Sequence, residues 1–437
     1  MKRTTTLLAF CVCAALARAS DATSWKFAFG SAARTDGTPV AADATFSAER
    51  GFGFEADAKL TAHDGAVSSD QPFLFSAAVP EGNYLVTVTL GDPAGDSNTT
   101  VKAESRRLAV EKVVTTGGKL ETRTFAVNVR NAKVPPPPLN APGNDHVELN
   151  DRERTGGPGG ALVLHWDDKL TLEFDGPHPA VAAVEIKRAD NLPTVFLAGD
   201  STVTDQPREP GASWGQMLTR FLKPDVAVAN HAESGETLKS FITELRLDKL
   251  LSQMKRGDYL LMQFGHNDEK QSWPQTYVEA RTTYQAYLRV FIAEARLRGA
   301  TPVLISPVQR RMFDEHGKIR NSHGDYPAAV RELAREQNVA CIDLAAASTA
   351  LYEALGPAKA PLAFSGSGER RDPTHHNNYG AYEIAQCVVA GLRADHVDLA
   401  KYIRSDFPGF DPTQPDDVAT FALAASPGRS NVTPRGN

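Results

Sequence analysis

The chain has 437 residues and a net charge of −6. This length is enough for two domains that each bury a core of their own. The charge is modest and no long basic run occurs, so we predict neither a nucleic-acid partner nor attraction to an anionic membrane surface.

The first 19 residues have the pattern of a signal peptide. A basic start at residues 1–3 precedes a short apolar stretch at 4–16, and Ala-Arg-Ala at 17–19 fits a cleavage site between small residues. The apolar stretch is too short to cross a bilayer comfortably, so no membrane span is predicted. We expect a product that is secreted or periplasmic.

Two of the four cysteines, Cys11 and Cys13, would leave with this segment. Cys341 and Cys387 remain, and an oxidising compartment would allow them to form a disulfide. Two buried free thiols are an equal alternative at this stage. Without a matching cluster of histidines and cysteines, the pair does not indicate zinc.

Residues 20–190 show the alternation of short β-strands. The alternating segments are 25–29, 73–79, 84–90, 108–110, 124–129, 161–164, 170–174 and 184–186. Turn residues separate them, as at 80–83, so the pattern predicts a β-sandwich. The irregular segment 135–160 is interpreted as a loop of that sandwich. The domain serves either as a spacer or as a module that binds carbohydrate and shapes the substrate site.

From residue 191 strands alternate with helices. Apolar strands are predicted at 194–199, 226–230, 259–264, 301–305 and 339–344, and helices at 238–254, 283–298, 326–337 and 379–392. Strands that alternate with helices build a parallel sheet covered on both faces. We therefore predict an α/β domain with three layers, α/β/α, over 191–405. Residues 406–437 are expected to form a C-terminal extension on its surface.

Polar blocks follow the strands of this predicted sheet. The first strand runs into Gly-Asp-Ser at 199–201, where Gly199 is expected to supply a positive φ for the turn. Gly235 comes after the second strand and Gly-His-Asn-Asp at 265–268 after the third. An Asp-x-x-His block, Asp372 to His375, precedes the last helix. Open α/β sheets bind ligands at the carboxyl ends of their strands, so these blocks predict a site there.

The four blocks together resemble those of the SGNH hydrolase superfamily, also called GDSL-type esterases. Within it the chain most resembles the bacterial rhamnogalacturonan acetylesterases of carbohydrate esterase family twelve, through 200–204, 230–235 and 323–327. The resemblance implies a flavodoxin-like SGNH hydrolase domain. Members often carry an N-terminal galactose-binding-like β-domain, which agrees with the alternating strands before residue 190.

The residue types fit acyl transfer. A serine hydroxyl needs a base to become a nucleophile, so Ser201 is the predicted nucleophile and His375 its base. Asp372 would fix the tautomer of that imidazole. The resemblance assigns the oxyanion hole to the backbone N–H groups of Ser201 and Gly235 and to the side-chain amide of Asn267.

Other polar residues of these blocks receive lesser roles. His231 and His266 are predicted either to contact substrate or to support the residues that do, and His376 is predicted to be a substrate contact or a turn residue. Arg310 and Arg311 are predicted substrate contacts, because a guanidinium suits the carboxylate of galacturonate. A solvated arginine pair is the equal alternative. Asp200 and Asp268 are expected to bind nearby backbone rather than to transfer protons.

The resemblance implies an esterase that removes acetyl groups from acetylated polysaccharide or oligosaccharide, with rhamnogalacturonan as substrate and no metal or organic cofactor. Two alternatives stay open: an esterase for another polysaccharide such as xylan, and a carbohydrate-binding protein with an inactive site. Since every assigned catalytic residue lies after residue 190, we expect the β-domain to handle polymer. The α/β domain alone would then retain activity on small esters.

Overall fold

The computed structural model describes residues 23–31, 37–56, 58–134, 147–149, 164–366, 368 and 371–428. The predicted signal peptide, residues 161–163 of one predicted strand, and most of the segment 135–160 lie outside the described residues.

Two sheets form the region before residue 190. Its strands are β1 (Ser24–Phe29), β2 (Thr38–Val40), β3 (Phe52–Phe54), β4 (Thr61–His63), β5 (Ala66–Ser68), β6 (Phe73–Ala78), β7 (Gly82–Leu90), β8 (Ser97–Ala103), β9 (Arg107–Thr115), β10 (Glu121–Val129), β11 (Lys133–Val134), β12 (Val147–Glu148), β13 (Lys169–His178) and β14 (Ala180–Arg188). One sheet has the order β10-β7-β14-β1-β2. In the same sheet β5 pairs with β14, and β4 pairs with β5. The other has the order β3-β6-β13-β8-β9, and β11 pairs with β12 separately.

Aromatic side chains fill the space between these two sheets. The Phe27 and Phe29 rings of one sheet lie 5.0 and 5.1 Å from the Phe75 ring of the other, and Phe29 lies 5.5 Å from Phe54. Offset and edge contacts of this kind stabilise a core beyond the area they bury. The alternation of apolar residues therefore packs one face of each sheet inward, as the sandwich prediction requires.

A five-stranded parallel sheet follows. Its strands are β15 (Thr194–Gly199), β16 (Ala227–Asn230), β17 (Tyr259–Gln263), β18 (Thr301–Ile305) and β19 (Ala340–Ile342), in the order β16-β15-β17-β18-β19. The helices are α1 (Trp214–Leu218), α2 (Leu238–Thr243), α3 (Arg246–Gln253), α4 (Gln285–Leu297), α5 (Tyr326–Gln337), α6 (Leu344–Lys359) and α7 (Asn378–Ala394). The strand β15 is second in this order and lies between β16 and β17.

Alternate residues of β15 belong to two separate cores. Val195 and Leu197 pack in the cluster that contains Val388 of α7. Phe196 and Ala198 pack in a second cluster with Phe291 of α4. A strand whose two faces are both covered by helices is the middle layer of an α/β/α sandwich. The predicted fold class is confirmed.

Two helices of this region were not predicted, and one predicted helix is divided. The capping box of Ser213 starts α1, and the Asp343 side chain caps α6 at a point where the apolar pattern predicted more strand. The predicted helix 238–254 breaks at Leu245, whose φ is 63°. Leu245 packs beside Trp166 of the β region, so a tertiary contact stabilises this break. Local patterns carry no information about such a contact.

The C-terminal residues 406–428 return across both regions. Phe407 belongs to the core of the α/β region, and the Phe421 ring lies 5.4 Å from those of Tyr379 and Tyr382. Ser426 is only 4% exposed and accepts a hydrogen bond from Lys102 of β8. The described part of this segment thus packs against both regions, and some of its residues are buried.

Cys341 and Cys387 are both free thiols, which settles the alternative left open by the sequence. Within the described ranges, none of the helices has the length and apolar character that crossing a membrane requires.

Candidate active site

The turn after β15 presents Ser201. The Asp200 carboxylate accepts hydrogen bonds from the backbone N–H and the hydroxyl of Thr202, at 2.9 and 2.8 Å, and this closes the turn. Position 199 requires a glycine because the surrounding atoms leave no room for a Cβ. A Cβ at this position would lie 2.5 Å from the Val203 side chain and 2.7 Å from the Gln263 carbonyl oxygen. The expectation of a positive φ at Gly199 is wrong, since it is not among the residues with positive φ.

Ser201, His375 and Asp372 form a continuous hydrogen-bonded chain. The Ser201 Oγ lies 2.8 Å from Nε2 of His375, and Nδ1 of the same ring lies 2.8 Å from Oδ2 of Asp372. Oδ1 of Asp372 accepts the backbone N–H groups of Thr374 and His375, which holds the carboxylate in place. Both Ser201 and His375 are 1% exposed. The imidazole is therefore arranged to accept the hydroxyl proton of Ser201.

The Asp372 carboxylate is adapted to remain charged. Burial alone would raise its pKa, but the hydrogen bond and charge of His375 and the two backbone N–H groups lower it to about 2. An ionised carboxylate at Nδ1 favours the tautomer that leaves Nε2 free to accept a proton.

His376 points into the core instead. Its Nε2 lies 2.6 Å from the Tyr352 hydroxyl, and its ring lies 4.7 Å from the Phe364 ring. Burial, followed by the nearby charge of His375, lowers the pKa of His376 to about 3, so the ring is neutral. The structure thus separates the two adjacent histidines by orientation, and only His375 reaches Ser201.

Gly235 and Asn267 follow β16 and β17, the strands on either side of β15. The Asn267 amide donates to the carbonyl of Glu236 at 3.0 Å, so this side chain is fixed next to Gly235. The Lys270 ammonium donates to Oδ1 of Asn267 at 3.1 Å and lies 4.4 Å from the centre of the Trp273 ring. These contacts leave the orientation of the amide defined, because the oxygen faces a cation and the nitrogen faces a carbonyl.

Asp268 supports the same turn. Its carboxylate accepts the backbone N–H groups of Leu238 at 2.8 Å and Gly265 at 3.0 Å. Burial, more than the charge of Asp200, raises the pKa of Asp268 to about 8. The predicted backbone-binding roles of Asp200 and Asp268 agree with these bonds.

His266 belongs to a second buried network beneath the nucleophile turn. Its Nδ1 lies 3.3 Å from Oδ2 of Asp200, and its ring packs 4.4 Å from that of His323. The His323 Nδ1 lies 2.8 Å from Glu269, which also binds Arg310. Burial lowers the pKa of His266 to about 4. Sequence reasoning did not assign Glu269 or His323, although His323 lies in a block that supported the family resemblance.

The remaining predicted substrate contacts occupy different surroundings. His231 is fully buried against the rings of Trp166 and Phe196, and burial lowers its pKa well below the ordinary value. Arg311 is half-buried and donates to the Arg371 carbonyl at 3.1 Å. The five substrate contacts proposed from sequence stay predictions. In the described part of the chain, no group of three or more His, Cys, Asp or Glu side chains is arranged to hold a metal ion.

The site combines a Gly-Asp-Ser turn at the carboxyl end of β15 with an Asp-x-x-His block before the last helix, and its hydrogen bonds suit acyl transfer. The sequence model of the GDSL-like lipase/acylhydrolase family matches residues 197–383. The chain belongs to this family, and it is a carboxylic ester hydrolase.

The chain is similar in sequence or structure to the following three proteins. The chain is 42% identical over 222 residues to the rhamnogalacturonan acetylesterase RhgT of Bacillus subtilis, covering 48% of this chain and 94% of that protein. It is 39% identical over 212 residues to the probable rhamnogalacturonan acetylesterase YesY of the same organism, covering 48% and 96%. The solved structure of YxiM from Bacillus subtilis covers 86% of this chain and 99% of its own, at 23% identity and a TM-score of 0.45.

Proposed function

We propose that this protein is a secreted serine esterase that removes acetyl groups from a rhamnogalacturonan-type pectic polysaccharide, with Ser201 as nucleophile. The observation that carries the proposal is the chain of two 2.8 Å contacts from Ser201 through His375 to Asp372. A nucleophile in contact with a base that a third group orients is the arrangement that acyl transfer requires.

In the first half of the proposed reaction, Ser201 Oγ attacks the acetyl carbonyl carbon while its proton passes to Nε2 of His375. The carbonyl oxygen becomes an oxyanion. When the bond to the sugar oxygen breaks, His375 returns the proton to that oxygen, and the deacetylated sugar leaves an acetyl-enzyme. Asp372 stays ionised and stabilises the imidazolium, as its pKa of about 2 allows.

The proposed oxyanion donors are the backbone N–H groups of Ser201 and Gly235 and the Asn267 amide. The two side-chain contacts of Asn267, to Glu236 and to Lys270, support this role because they fix the amide before substrate arrives. Each preorganised donor lowers the barrier by roughly 3 kcal/mol.

In the second half, His375 removes a proton from water, whose oxygen attacks the acetyl-enzyme. The tetrahedral intermediate collapses, Ser201 regains its proton from His375, and acetic acid leaves and releases its remaining proton to solvent. All groups return to their initial protonation state, so the cycle needs no cofactor.

The proposed substrate class follows from the relatives. RhgT is described as a rhamnogalacturonan acetylesterase and YesY as a probable one, and both matches cover nearly their whole length. Galacturonate carboxylates of such a polymer would meet Arg311 after β18. Secretion is proposed from the N-terminal signal pattern.

The test is acetate release from acetylated rhamnogalacturonan and acetylated xylan, measured side by side with the Ser201→Ala variant as control. We expect faster release from rhamnogalacturonan and no release by the variant. Equal activity of the variant would refute the mechanism, and a preference for xylan would refute the substrate. N-terminal sequencing of protein recovered from the culture medium tests secretion, which would be refuted if residues 1–19 were retained inside the cell.

A further inference from the structure

A turn of the β region enters the α/β region behind the nucleophile. This turn joins β8 to β9 at residues 104–106, and two of its residues, Glu104 and Arg106, have left-handed backbone with φ of 55° and 63°. Such conformations are costly for residues other than glycine and persist only where surrounding contacts determine them. The contacts of this turn must therefore stabilise its backbone conformation.

Arg106 contacts the segments that carry both the nucleophile and the base. Its guanidinium donates to the carbonyl oxygens of Gln206 at 3.1 Å and Gly211 at 2.7 Å, in the loop that follows Ser201. It also donates to Oδ1 of Asn378 at 3.0 Å, in the first turn of α7, three residues after His375. One planar side chain, 3% exposed, thereby connects the two segments.

Further hydrogen bonds continue from this turn to Ser201 itself. The Gln206 side chain donates to the carbonyl oxygen of Ser201 at 2.7 Å. The Gln216 side chain donates to the Ser105 carbonyl at 2.7 Å and to the Gln206 carbonyl at 2.9 Å. The backbone of the loop is thus bonded to the β region on one side and to the nucleophile on the other.

The neighbouring Arg107 anchors the same loop through charge. Its Nε donates to Oδ2 of Asp205 at 2.9 Å, and Arg130 of the β region donates to the same oxygen at 3.0 Å. Burial alone would raise the pKa of Asp205, but the charge of Arg107 and its other partners lower it below its usual range. We call Arg106, Arg107, Arg130 and Asp205 the junction cluster.

We propose that Arg106 is a positioning residue for hydrolysis. It holds the Ser201 loop and the start of α7 at the separation that keeps Ser201 Oγ within hydrogen-bond distance of His375 Nε2. This inference rests on the proposed function and adds a role for the β region in the chemistry itself. A displacement of about 1 Å between reacting groups costs on the order of 100-fold in rate, so a residue far from the substrate is able to control kcat.

The proposal replaces the expectation that residues 191 onward retain activity on small esters alone. Without the β region, the Gln206 and Gly211 carbonyls lose their guanidinium donor, and Asp205 loses both arginines. The loop that carries Ser201 would then lack the contacts that determine its conformation.

The experiment compares Arg106→Lys and Arg106→Ala with Lys249→Met in the full chain, with an aryl acetate as substrate. Lys249 is the matched control, because it also joins the two regions by buried contacts, to Glu81 at 2.7 Å and the Lys133 carbonyl at 2.6 Å. Its partners lie outside the Ser201 loop and α7. Three readouts are needed: kcat and KM, thermal unfolding, and the rate at which a small fluorophosphonate labels Ser201.

We expect Arg106→Lys to remain folded and to lose about 30- to 100-fold in kcat, with KM changed less than about 3-fold. Labelling of Ser201 should slow in parallel. Lys249→Met should unfold at lower temperature yet keep kcat within about 2-fold of the parent, because it disturbs the interface without touching the loop.

Two results would overturn the proposal. One is a folded Arg106→Lys enzyme with kcat within about 3-fold of the parent. The other is an equal loss in Lys249→Met, which would assign the effect to a weakened interface. If both Arg106 variants fail to fold, Gln206→Met tests the same chain of contacts, since it removes only the bond to Ser201. The Gln206→Met variant should lose about 10-fold in kcat, and an unchanged kcat would contradict the proposal.

Failure of the proposed function would be seen separately. In that case the unmodified enzyme would lack esterase activity or Ser201→Ala would retain it. The positioning role is tested against a parent whose activity depends on Ser201, and it fails on the results given above for Arg106→Lys, Lys249→Met and Gln206→Met.

Discussion

The active-site edge of the parallel sheet and the junction cluster are both buried and both charged, but their partners are distributed differently along the chain. At the active site, Asp372 and His375 are three residues apart, and Asp200 binds Thr202 two residues on. In the junction cluster, Arg107 and Asp205 are 98 residues apart, and Arg106 binds Asn378 across 272 residues. Short motifs therefore supply the proposed chemical groups, which the fold joins between Ser201 and His375 across 174 residues, whereas the support of those motifs comes from distant sequence.

The two places also differ in what a single substitution removes. The loss of a proposed catalytic group should change the reaction, since the side chains of Ser201, His375 and Asp372 bond to one another. The loss of Asp205 from the junction cluster leaves the buried Arg107 and Arg130 guanidinium groups without their shared anion, which costs stability. Four predictions test this distinction, from the largest expected effect to the smallest.

The largest effect is expected at the doubled histidine. His375→Ala should lower kcat on an aryl acetate by about 10⁴-fold, because Ser201 loses its base. His376→Ala should keep kcat within a few-fold while lowering the unfolding temperature, since His376 contacts Tyr352 and Phe364 rather than Ser201. Steady-state kinetics measures kcat and calorimetry measures the unfolding temperature of both variants. If His376→Ala lost more activity than His375→Ala, then His376 and not His375 would be the base.

The second-largest effect is expected at Asp205 of the junction cluster. Asp205→Asn should destabilise the fold by about 3–5 kcal/mol, because Arg107 and Arg130 both lose a buried anion. Urea unfolding measures the loss. The control is Arg289→Ala, which breaks an exposed ion pair with Glu336 and should not move the transition measurably. Equal midpoints for the two variants would mean that the junction cluster does not stabilise the fold.

A smaller effect is expected at Lys270, which bonds to the proposed oxyanion donor. Lys270→Met should lower kcat about 10-fold with little change in KM, because the Asn267 amide loses the cation that fixes its orientation. Lys401→Met, which removes an exposed ammonium paired with Asp398, is the control. A change confined to KM would show that Lys270 binds substrate instead.

The smallest effect concerns the pH dependence of stability at the C-terminal segment. Burial, with the charge of Asp416, raises the pKa of Glu383 from 4.5 to about 8. The native state thus keeps a proton that the unfolded chain releases above pH 4.5, and this contribution to stability falls as the pH rises from 4.5 to 8.

Glu383→Gln should remove this slope, because an amide cannot lose the proton. Between pH 5 and 8 we expect the free energy of unfolding of the variant to fall less than that of the parent. Denaturant unfolding at several pH values measures it. Parallel curves for parent and variant would show that Glu383 does not hold its proton in the native state.

The sequence predicted the sheet better than the helices. Apolar runs placed β15 and β18 at their observed positions, because a strand buried on both faces must be apolar throughout. The predicted helix 238–254 was broken at Leu245 by a contact with the β region, and α6 begins where its cap, Asp343, follows directly on β19. These boundaries depend on neighbours that local patterns do not include.

For the proposed catalytic groups, the sequence by itself determined the residue types and their spacing. Asp-x-x-His fixes its own geometry, because a carboxylate three residues before the imidazole reaches Nδ1 without help from another segment. The packing of the His376 ring against Phe364, which directs this ring into the core, was decided only by the tertiary structure. The bonds of Arg106 to Gln206, Gly211 and Asn378 were also decided only by the tertiary structure, since loop closure brings residues 100 and more positions apart into one buried cluster.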